Sequence, residues 1–191
     1  VLDRILSDNC HDNPARILNQ MNRLIKSALR QDQKGNDTTT DDGLDAAVCV
    51  IDRARDTLTF AGANIPLLYA ANGDMVEIKG DRHSLGYRSS KIDYTFRNHV
   101  VRLTPGMTFY LATDGVTDQV GAVRRQLFGR RRLTESLRPI HHLPAQQQLD
   151  LTLAALCDYR GVEPQRDDMT LIVFTPLPPA GEDSVAASIV A

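Results

Sequence analysis

The sequence lacks several features that would assign it to other protein classes. No apolar run approaches the roughly 18 residues that a bilayer-spanning helix needs. Cys10, Cys49 and Cys157 lie far apart without a Cys-x-x-Cys pair, which argues against a disulfide framework or a zinc site. Neither sign of charge dominates, because 22 basic and 24 acidic residues leave a formal net charge of −2. This balance gives no support for binding nucleic acid.

A covalent nucleophile is also missing from the sequence. There is no Gly-x-Ser-x-Gly motif and no cysteine beside a plausible base. A receiver domain with a phosphorylated aspartate fits poorly, since its acidic residues come in a different order and its strands are parallel. Any hydrolytic chemistry of this chain is therefore expected to use an activated water.

The pattern of apolar residues predicts an α+β fold. At 191 residues the chain has the size of one domain and can bury a substantial core. Strand-like segments separated by turns fill the first half, and such successive hairpins are typical of antiparallel sheets with helices outside. The alternating segment Ile92–Leu103 predicts one long strand. The proline-rich end predicts a flexible tail over residues 177–191.

Two acidic segments each adjoin a predicted core strand. The apolar run Met107–Thr113 ends at Asp114-Gly115, and Asp118 follows one helical turn later. Asp167-Asp168 directly precede the apolar run Met169–Phe174. Antiparallel neighbours place the end of one strand beside the start of the next, so Asp114 and Asp167 meet at one sheet edge if these strands pair. Carboxylates at that range repel unless one is protonated or a cation lies between them.

The residue types of these segments favour a hard metal ion. Neither segment contains His or Cys, and an all-oxygen ligand set is typical of Mg²⁺ or Mn²⁺. The sequence also permits two unrelated polar turns at two strand ends, or a surface hairpin at Asp114-Gly115. The acidic residues alone therefore leave the metal site as one of several interpretations.

A basic cluster follows the first acidic segment. It contains Arg124 and Arg125, and then Arg130, Arg131 and Arg132. Such a run is typical of a solvent-exposed helix face. It also permits docking of an acidic or phosphorylated partner, for which Arg130, Arg131 and Arg132 are the candidate residues.

Four motifs together resemble the metal-dependent protein phosphatases of the PPM class, which are protein phosphatase 2C-like, in their bacterial SpoIIE/RsbU branch. The motifs are Asp41–Asp45 (DDGLD), Phe60–Leu68 (FAGANIPLL), Ala112–Gln119 (ATDGVTDQ) and Asp167–Leu171 (DDMTL). In this order and spacing the motifs cover nearly the whole chain, and their residues are most similar to those of SiaA-type phosphatases. The resemblance implies a phosphatase domain over residues 1–176 with a four-layer α-β-β-α sandwich of two antiparallel sheets.

The resemblance also implies an activity, metal ligands and a kind of partner. It implies a hydrolase that dephosphorylates phosphoserine or phosphothreonine with a water activated by two Mn²⁺ or Mg²⁺ ions, a third ion being possible. It assigns Asp114 and Asp167 as catalytic metal ligands and names Gly115, Asp118 and Asp168 as further metal candidates. The implied partner is a phosphorylated protein, a STAS-domain regulator, and not nucleic acid.

One departure from the family pattern leaves an alternative open. The family's first metal motif, an Asp followed shortly by Gly-His-Gly, is absent, so we expect an N-terminally incomplete domain with that motif upstream of Val1. SiaA-type phosphatases carry the domain behind a membrane-anchored sensor, which implies a cytoplasmic domain tethered to the inner membrane by segments outside this chain. A homodimer stays open. The alternative function is a non-catalytic binding module.

Overall fold

The computed structural model describes residues 12–31, 41–177 and 185–190. The segment Val1–Leu6, which the sequence predicts as the end of a helix, lies outside these residues, as do residues 32–40 of a predicted loop. The described elements are α1 (Pro14–Ala28), β1 (Ala46–Asp52), β2 (Thr57–Ala63), β3 (Leu67–Ala71), β4 (Asp74–Ile78), β5 (His99–Arg102), β6 (Thr108–Ala112), α2 (Asp114–Thr117), α3 (Gly129–Leu137), α4 (Ala145–Arg160), β7 (Met169–Phe174) and β8 (Val185–Val190). None of the helices among them combines the length and the apolarity that crossing a bilayer requires.

The chain divides into two compact units. Unit 1 comprises residues 1–67 and 78–102, and unit 2 comprises residues 68–77 and 103–191. Unit 1 contains a three-stranded antiparallel sheet in the order β1-β2-β5, and unit 2 contains a five-stranded sheet in the order β4-β3-β6-β7-β8. The predicted α+β class, with two antiparallel sheets and accompanying helices, is confirmed.

Unit 1 is built on the helix α1. Pro14 occupies the first turn, and the side chain of Asn13 caps the helix by accepting a hydrogen bond from the Arg16 N–H group at 3.1 Å. The apolar stripe of α1 then buries Leu18 in a cluster with Ala61 of β2 and with Leu85. The apolar residues that recur every three or four positions, which predict this helix, are therefore the residues that pack it on the sheet.

Unit 1 also buries polar side chains of α1. Lys26 is only 4% exposed, and Asn22 is 1% exposed. The Lys26 ammonium donates hydrogen bonds to three backbone carbonyl oxygens, those of Tyr87 (2.6 Å), Ser90 (2.8 Å) and Arg88 (3.2 Å). The side chain of Asn22 accepts a hydrogen bond from the Gly86 N–H group at 3.0 Å. These contacts hold the irregular segment 86–90 on α1 and satisfy carbonyl groups that lie in or near the interior.

Unit 2 places its core between the sheet and the helices α3 and α4. Tyr110 of β6, Leu133 of α3 and Leu149 of α4 are each 1% exposed and belong to one apolar cluster. The Tyr110 hydroxyl donates to the side chain of Gln148 at 2.6 Å. The amide nitrogen of Gln148 in turn donates to two backbone carbonyl oxygens, those of Leu143 (2.6 Å) and His141 (3.1 Å). This buried network joins β6 to the start of α4.

The predicted strand Ile92–Leu103 is wrong over most of its length. Only His99–Arg102 is a strand, and it pairs with β2. Upstream of this strand, side chains and not a neighbouring strand accept the backbone hydrogen bonds. Asp81 accepts from the Arg97 N–H group at 2.9 Å, and Asn19 accepts from the Phe96 N–H group at 3.3 Å. The alternating pattern therefore reflects packing of Phe96 in the unit 1 core without sheet pairing.

The predicted flexible tail is wrong for residues 185–190. These residues form β8, which pairs antiparallel with β7 so that Val185 lies opposite Phe174. The prolines that motivated the prediction, Pro176, Pro178 and Pro179, precede the strand and leave its N–H groups available for the ladder. The edge of β7 offers those groups their partners.

Candidate functional site

The first acidic pair stands on a single helical turn at the end of β6. The strand ends at Ala112, and α2 covers only Asp114–Thr117. The side chain of Asp114 accepts a hydrogen bond from the Gly115 N–H group at 2.9 Å, and the Asp118 N–H group donates to the Asp114 carbonyl oxygen at 2.7 Å. Both Asp114 and Asp118 are exposed, and the predicted spacing of one helical turn is confirmed.

The second acidic pair stands immediately before β7. Asp168 donates its N–H group to the side chain of Asp167 at 2.8 Å, and the Gln165 side chain donates to the Asp167 carbonyl oxygen at 3.0 Å. Both aspartates are exposed, whereas Met169, the next residue, is buried. The carboxylates therefore project from the point at which the chain enters the core.

Strand pairing brings the two acidic segments together. β6 and β7 are antiparallel neighbours with Ala112 opposite Leu171, so the end of β6 lies beside the start of β7, as the sequence predicted. Thr113 continues the contact: its N–H group donates to the Thr170 carbonyl oxygen at 3.0 Å, and its hydroxyl oxygen accepts from the Thr170 N–H group at 2.9 Å. The same hydroxyl donates to the Asp168 carbonyl oxygen at 3.4 Å.

Gly115 makes the closest approach between the two segments. A β-carbon built on Gly115 would lie 2.2 Å from the carbonyl oxygen of Asp168, a separation that no side chain tolerates. The glycine of the Asp-Gly pair is therefore required for close packing of α2 against the chain that carries Asp167 and Asp168. Its role in the structure is to let the two acidic segments touch.

The four carboxylates are oxygen donors without a cationic partner. Asp114, Asp118, Asp167 and Asp168 are all exposed, and none of them forms an ion pair with the lysines and arginines that the structure describes. By donor chemistry they fit a hard divalent ion such as Mg²⁺ or Mn²⁺. Over residues 12–31 and 41–177, no group of three or more His, Cys, Asp or Glu side chains is gathered as a metal cage.

The three arginines proposed for partner docking lie on α3 and are engaged within unit 2. Arg130 pairs with Glu77 at 2.9 Å, and Arg131 pairs with Glu135 at 2.8 Å, which raises the pKa of Arg131. Arg132 donates to the Leu127 carbonyl oxygen at 3.0 Å and stacks over the Tyr159 ring at 5.0 Å. Among the described contacts, none joins these arginines to the four aspartates. Arg131, whose side chain is 88% exposed, is the most accessible of the three.

Two residues that organise the acidic turn, defined here as Asp114–Asp118, were missed by sequence reasoning; they are Thr113 and Gln119. Both residues lie in the motif Ala112–Gln119, but the sequence assigns neither of them a role. Gln119 is fully buried, and its amide nitrogen donates to the Pro164 carbonyl oxygen at 3.1 Å. No sequence signal indicates this role, because the need for an internal partner comes from the burial of Gln119, which only the structure shows.

The comparison with protein-family models decides which family carries this arrangement. Residues 1–176 match the family described as Stage II sporulation protein E (SpoIIE). The chain belongs to the SpoIIE family. In this SpoIIE-family chain the matched range contains both acidic segments and both sheets except β8. Among curated protein sequences, none matches the chain.

Solved structures extend the SpoIIE likeness to three dimensions. The SiaA-PP2C domain of Pseudomonas aeruginosa is 36% identical, with a TM-score of 0.75, and the match covers 91% of this chain and 65% of that one. The SpoIIE phosphatase domain from Bacillus subtilis is 14% identical, with a TM-score of 0.56 over 95% of this chain and 74% of that one. The catalytic domain of the serine threonine phosphatase PstP, solved in complex with 2 manganese ions, is 12% identical, with a TM-score of 0.54 over 100% of this chain and 79% of that one.

These likenesses differ in what they establish. The two more distant structures show that the SpoIIE-family chain has the fold of PP2C-like phosphatase domains, and the predicted PPM-class resemblance is confirmed. The chain spans 65% of the length of the SiaA-PP2C chain that it matches, which is less than two thirds.

Proposed function

We propose that this SpoIIE-family chain is a metal-dependent protein serine/threonine phosphatase. The observation that carries the proposal is the contact between the two acidic segments, in which Gly115 lies against the Asp168 carbonyl group and Thr113 bonds to Thr170. Within residues 12–31 and 41–177 the four exposed carboxylates at this sheet edge have no cationic partner, and a divalent ion would stabilise that arrangement. The 36% identity to the SiaA-PP2C domain supports the same reaction class.

In this proposal the aspartates bind and hold the metal. Asp114 and Asp167 are the principal ligands, and Asp118, Asp168 and Gly115 are further candidates. The manganese in the PstP structure supports Mn²⁺, and Mg²⁺ fits the same donors. When bound, a pair of such ions supplies an activated water and neutralises charge on the transferred phosphoryl group. Thr113 and Gly115 keep the two acidic segments at a fixed separation.

The substrate that we propose is phosphoserine or phosphothreonine on a partner protein. The resemblance to the SpoIIE/RsbU branch favours a STAS-domain regulator as that partner, and it favours action on the cytoplasmic side of the membrane. Among Arg130, Arg131 and Arg132, Arg131 is best placed to meet an acidic surface, because its side chain is the most exposed of the three. Arg130 and Arg132 stay part of the proposed docking face but also bind within unit 2.

A non-catalytic binding module is the second candidate function. It is favoured by one observation: the described residues contain no group of three potential ligands gathered around one point. Such a module would use the same four exposed carboxylates to hold a partner without hydrolysing it. The two candidates differ in whether metal and phosphate turnover are linked.

The discriminating experiment is a phosphatase assay on the full-length protein. A serine-phosphorylated STAS-domain protein is incubated with and without Mn²⁺, and released phosphate is measured. We expect turnover that depends on Mn²⁺ and stops on addition of a chelator. Binding of the phosphoprotein without any turnover at saturating Mn²⁺ or Mg²⁺ would favour the binding module and reject the phosphatase.

The docking role of the basic cluster has its own test. We expect Arg131→Glu to weaken association with the phosphoprotein by roughly tenfold at low salt and less at high salt, because exposed charges are screened. Hydrolysis of a small aryl phosphate should be unchanged. Arg53→Glu, at an exposed arginine of unit 1, is the matched control. Loss of small-substrate hydrolysis in Arg131→Glu would show that the cluster belongs to the fold or to the active site.

A further inference from the structure

The acidic turn is tied at one end to β7 and at the other end to the chain before β7. At the first end, Thr113 exchanges hydrogen bonds with Thr170. At the other end, the buried side chain of Gln119 reaches the carbonyl oxygen of Pro164. Between these ties stands α2, which has only four residues and, as a single helical turn, is not stable by itself. The ties therefore fix the geometry of the turn.

Gln119 contacts the chain before β7 through its side-chain amide nitrogen. Its amide nitrogen donates to the Pro164 carbonyl oxygen at 3.1 Å and to the Val120 carbonyl oxygen at 2.9 Å. Its amide oxygen is buried and has no hydrogen-bond partner among the described residues. Its backbone carbonyl accepts from the Phe128 N–H group at 2.7 Å, which fixes the main chain at this position. A buried amide that satisfies two backbone carbonyls holds those two segments together.

The position of Gln119 links the two acidic pairs. Asp118 is its neighbour in the chain, and Pro164 precedes Asp167 by only three residues. Among the residues that the structure describes, the side chain of Asp118 accepts one hydrogen bond, from the Thr117 hydroxyl at 3.4 Å. Beside the direct contact of Gly115 with Asp168, the Gln119–Pro164 bond is a second constraint, and its donor is the residue next to Asp118.

We propose that Gln119 is a positioning residue that sets Asp118 relative to Asp167 and Asp168 for binding a divalent ion. Gln119 acts through Asp118 and is not itself a ligand. The inference rests on the proposed function only in that it takes the four aspartates as metal-binding. The proposed support, Gln119, lies in the interior of unit 2, whereas the aspartates of the proposed metal site are exposed.

The test replaces the amide without changing its volume. Gln119→Met keeps the length of the side chain and removes the donor, and Mn²⁺ binding to the full-length protein is measured by calorimetric titration beside a thermal melt. We expect Mn²⁺ affinity to fall about tenfold, the lower end of what is found when a residue supporting a metal ligand is removed. If Gln119→Met does not fold, Gln119→Asn keeps a polar amide but is one methylene shorter, so its donor should no longer reach the Pro164 carbonyl oxygen.

Gln148→Met is the matched control. Gln148 is also fully buried and also donates to two backbone carbonyls, but those carbonyls belong to His141 and Leu143 at the start of α4. We expect Gln148→Met to lower the melting temperature and to leave Mn²⁺ affinity unchanged. A loss of affinity in both variants would show a general effect of destabilisation and overturn the inference.

A double-mutant cycle separates a positioning role from a merely structural one. If Gln119 acts through Asp118, Gln119→Met should change Mn²⁺ affinity less than twofold in an Asp118→Ala background. Additive losses, an unchanged affinity in Gln119→Met, or a wild-type protein that binds no Mn²⁺ would each overturn the inference. A protein that follows the expected affinities but hydrolyses no phosphoprotein would instead reject the phosphatase proposal and support the role of Gln119.

Discussion

The polar residues of α1 in unit 1 and the aspartates of unit 2 are used in opposite ways. Lys26 and Asn22 are buried and direct their polar atoms at backbone groups of the segment 86–90. The four aspartates are exposed, and the charged partners described elsewhere in the chain do not reach them. The buried side chains have hydrogen-bond partners within the protein, whereas the exposed aspartates can bind a ligand from outside.

The difference separates stability from function. A polar group that is buried with its partners made is costly to remove, since the partners stay behind without hydrogen bonds. The exposed carboxylates gain no ion pair among the described residues, so their placement at one sheet edge is not explained by stability. Proteins retain such arrangements at functional sites. The comparison predicts that changes in the two regions will affect different measurements.

The largest effect should come from the aspartates. We expect Asp114→Ala and Asp167→Ala each to lower Mn²⁺-dependent hydrolysis by more than about a hundredfold, because each removes a proposed metal ligand. Thermal melts without metal should stay near wild type, since removing one repelling carboxylate relieves unfavourable charge. Near-full turnover in either variant would reject the assignment of the metal ligands. A collapse of the melting temperature would show that the aspartates stabilise the fold after all.

The opposite result is expected at Lys26. Replacement by methionine keeps most of the volume but leaves the carbonyl oxygens of Tyr87, Arg88 and Ser90 without the ammonium. We expect a loss of about 3 kcal/mol in the free energy of unfolding. Mn²⁺ affinity of the folded protein should not change. Lys91→Met, at an exposed lysine of the same unit, is the control and should lie within about 0.5 kcal/mol of wild type.

Gly115 is the position at which the two measurements should change together. An alanine β-carbon would collide with the Asp168 carbonyl group, so the backbone of one acidic segment must move. We expect Gly115→Ala to cost about 2 kcal/mol of stability and to weaken Mn²⁺ binding several-fold. The control is Gly106→Ala, where a β-carbon meets nothing within 4 Å. Its positive φ of 81° strains the backbone, so stability should fall there too, but Mn²⁺ affinity should stay unchanged. Unchanged Mn²⁺ affinity in Gly115→Ala would mean that the contact does not set the site.

The last prediction concerns neither stability nor Mn²⁺ binding and compares the labelling rates of one cysteine from each unit. Burial raises the pKa of the Cys49 thiol in β1 to about 12, whereas Cys157 in α4 is exposed. At pH 8 the reactive thiolate of Cys49 is scarce, so we expect iodoacetamide to label Cys49 on the order of a hundredfold more slowly than Cys157. Peptide-resolved mass spectrometry measures both rates in one sample. Equal rates in the native protein would show that unit 1 opens readily.

The sequence by itself determined which segments form the core strands and where the aspartates stand. The apolar runs before Asp114 and after Asp168 became β6 and β7, and the geometry of antiparallel pairing was enough to bring their ends together. The helix beginning at Pro14 and the turn at Asp114-Gly115 could also be predicted. These features follow from local periodicity and from capping residues, which act over a few positions in the chain.

Only the tertiary structure decided how those pieces are held. The Lys26 ammonium bonds to carbonyls more than 60 positions away, Asp81 takes the Arg97 backbone out of a predicted strand, and Gln119 reaches Pro164 across 45 positions. The partner of a buried polar side chain is set by what the folded core brings next to it. No periodicity in the sequence encodes that choice, so the ties that position the aspartates emerged only once the strands and helices were assembled.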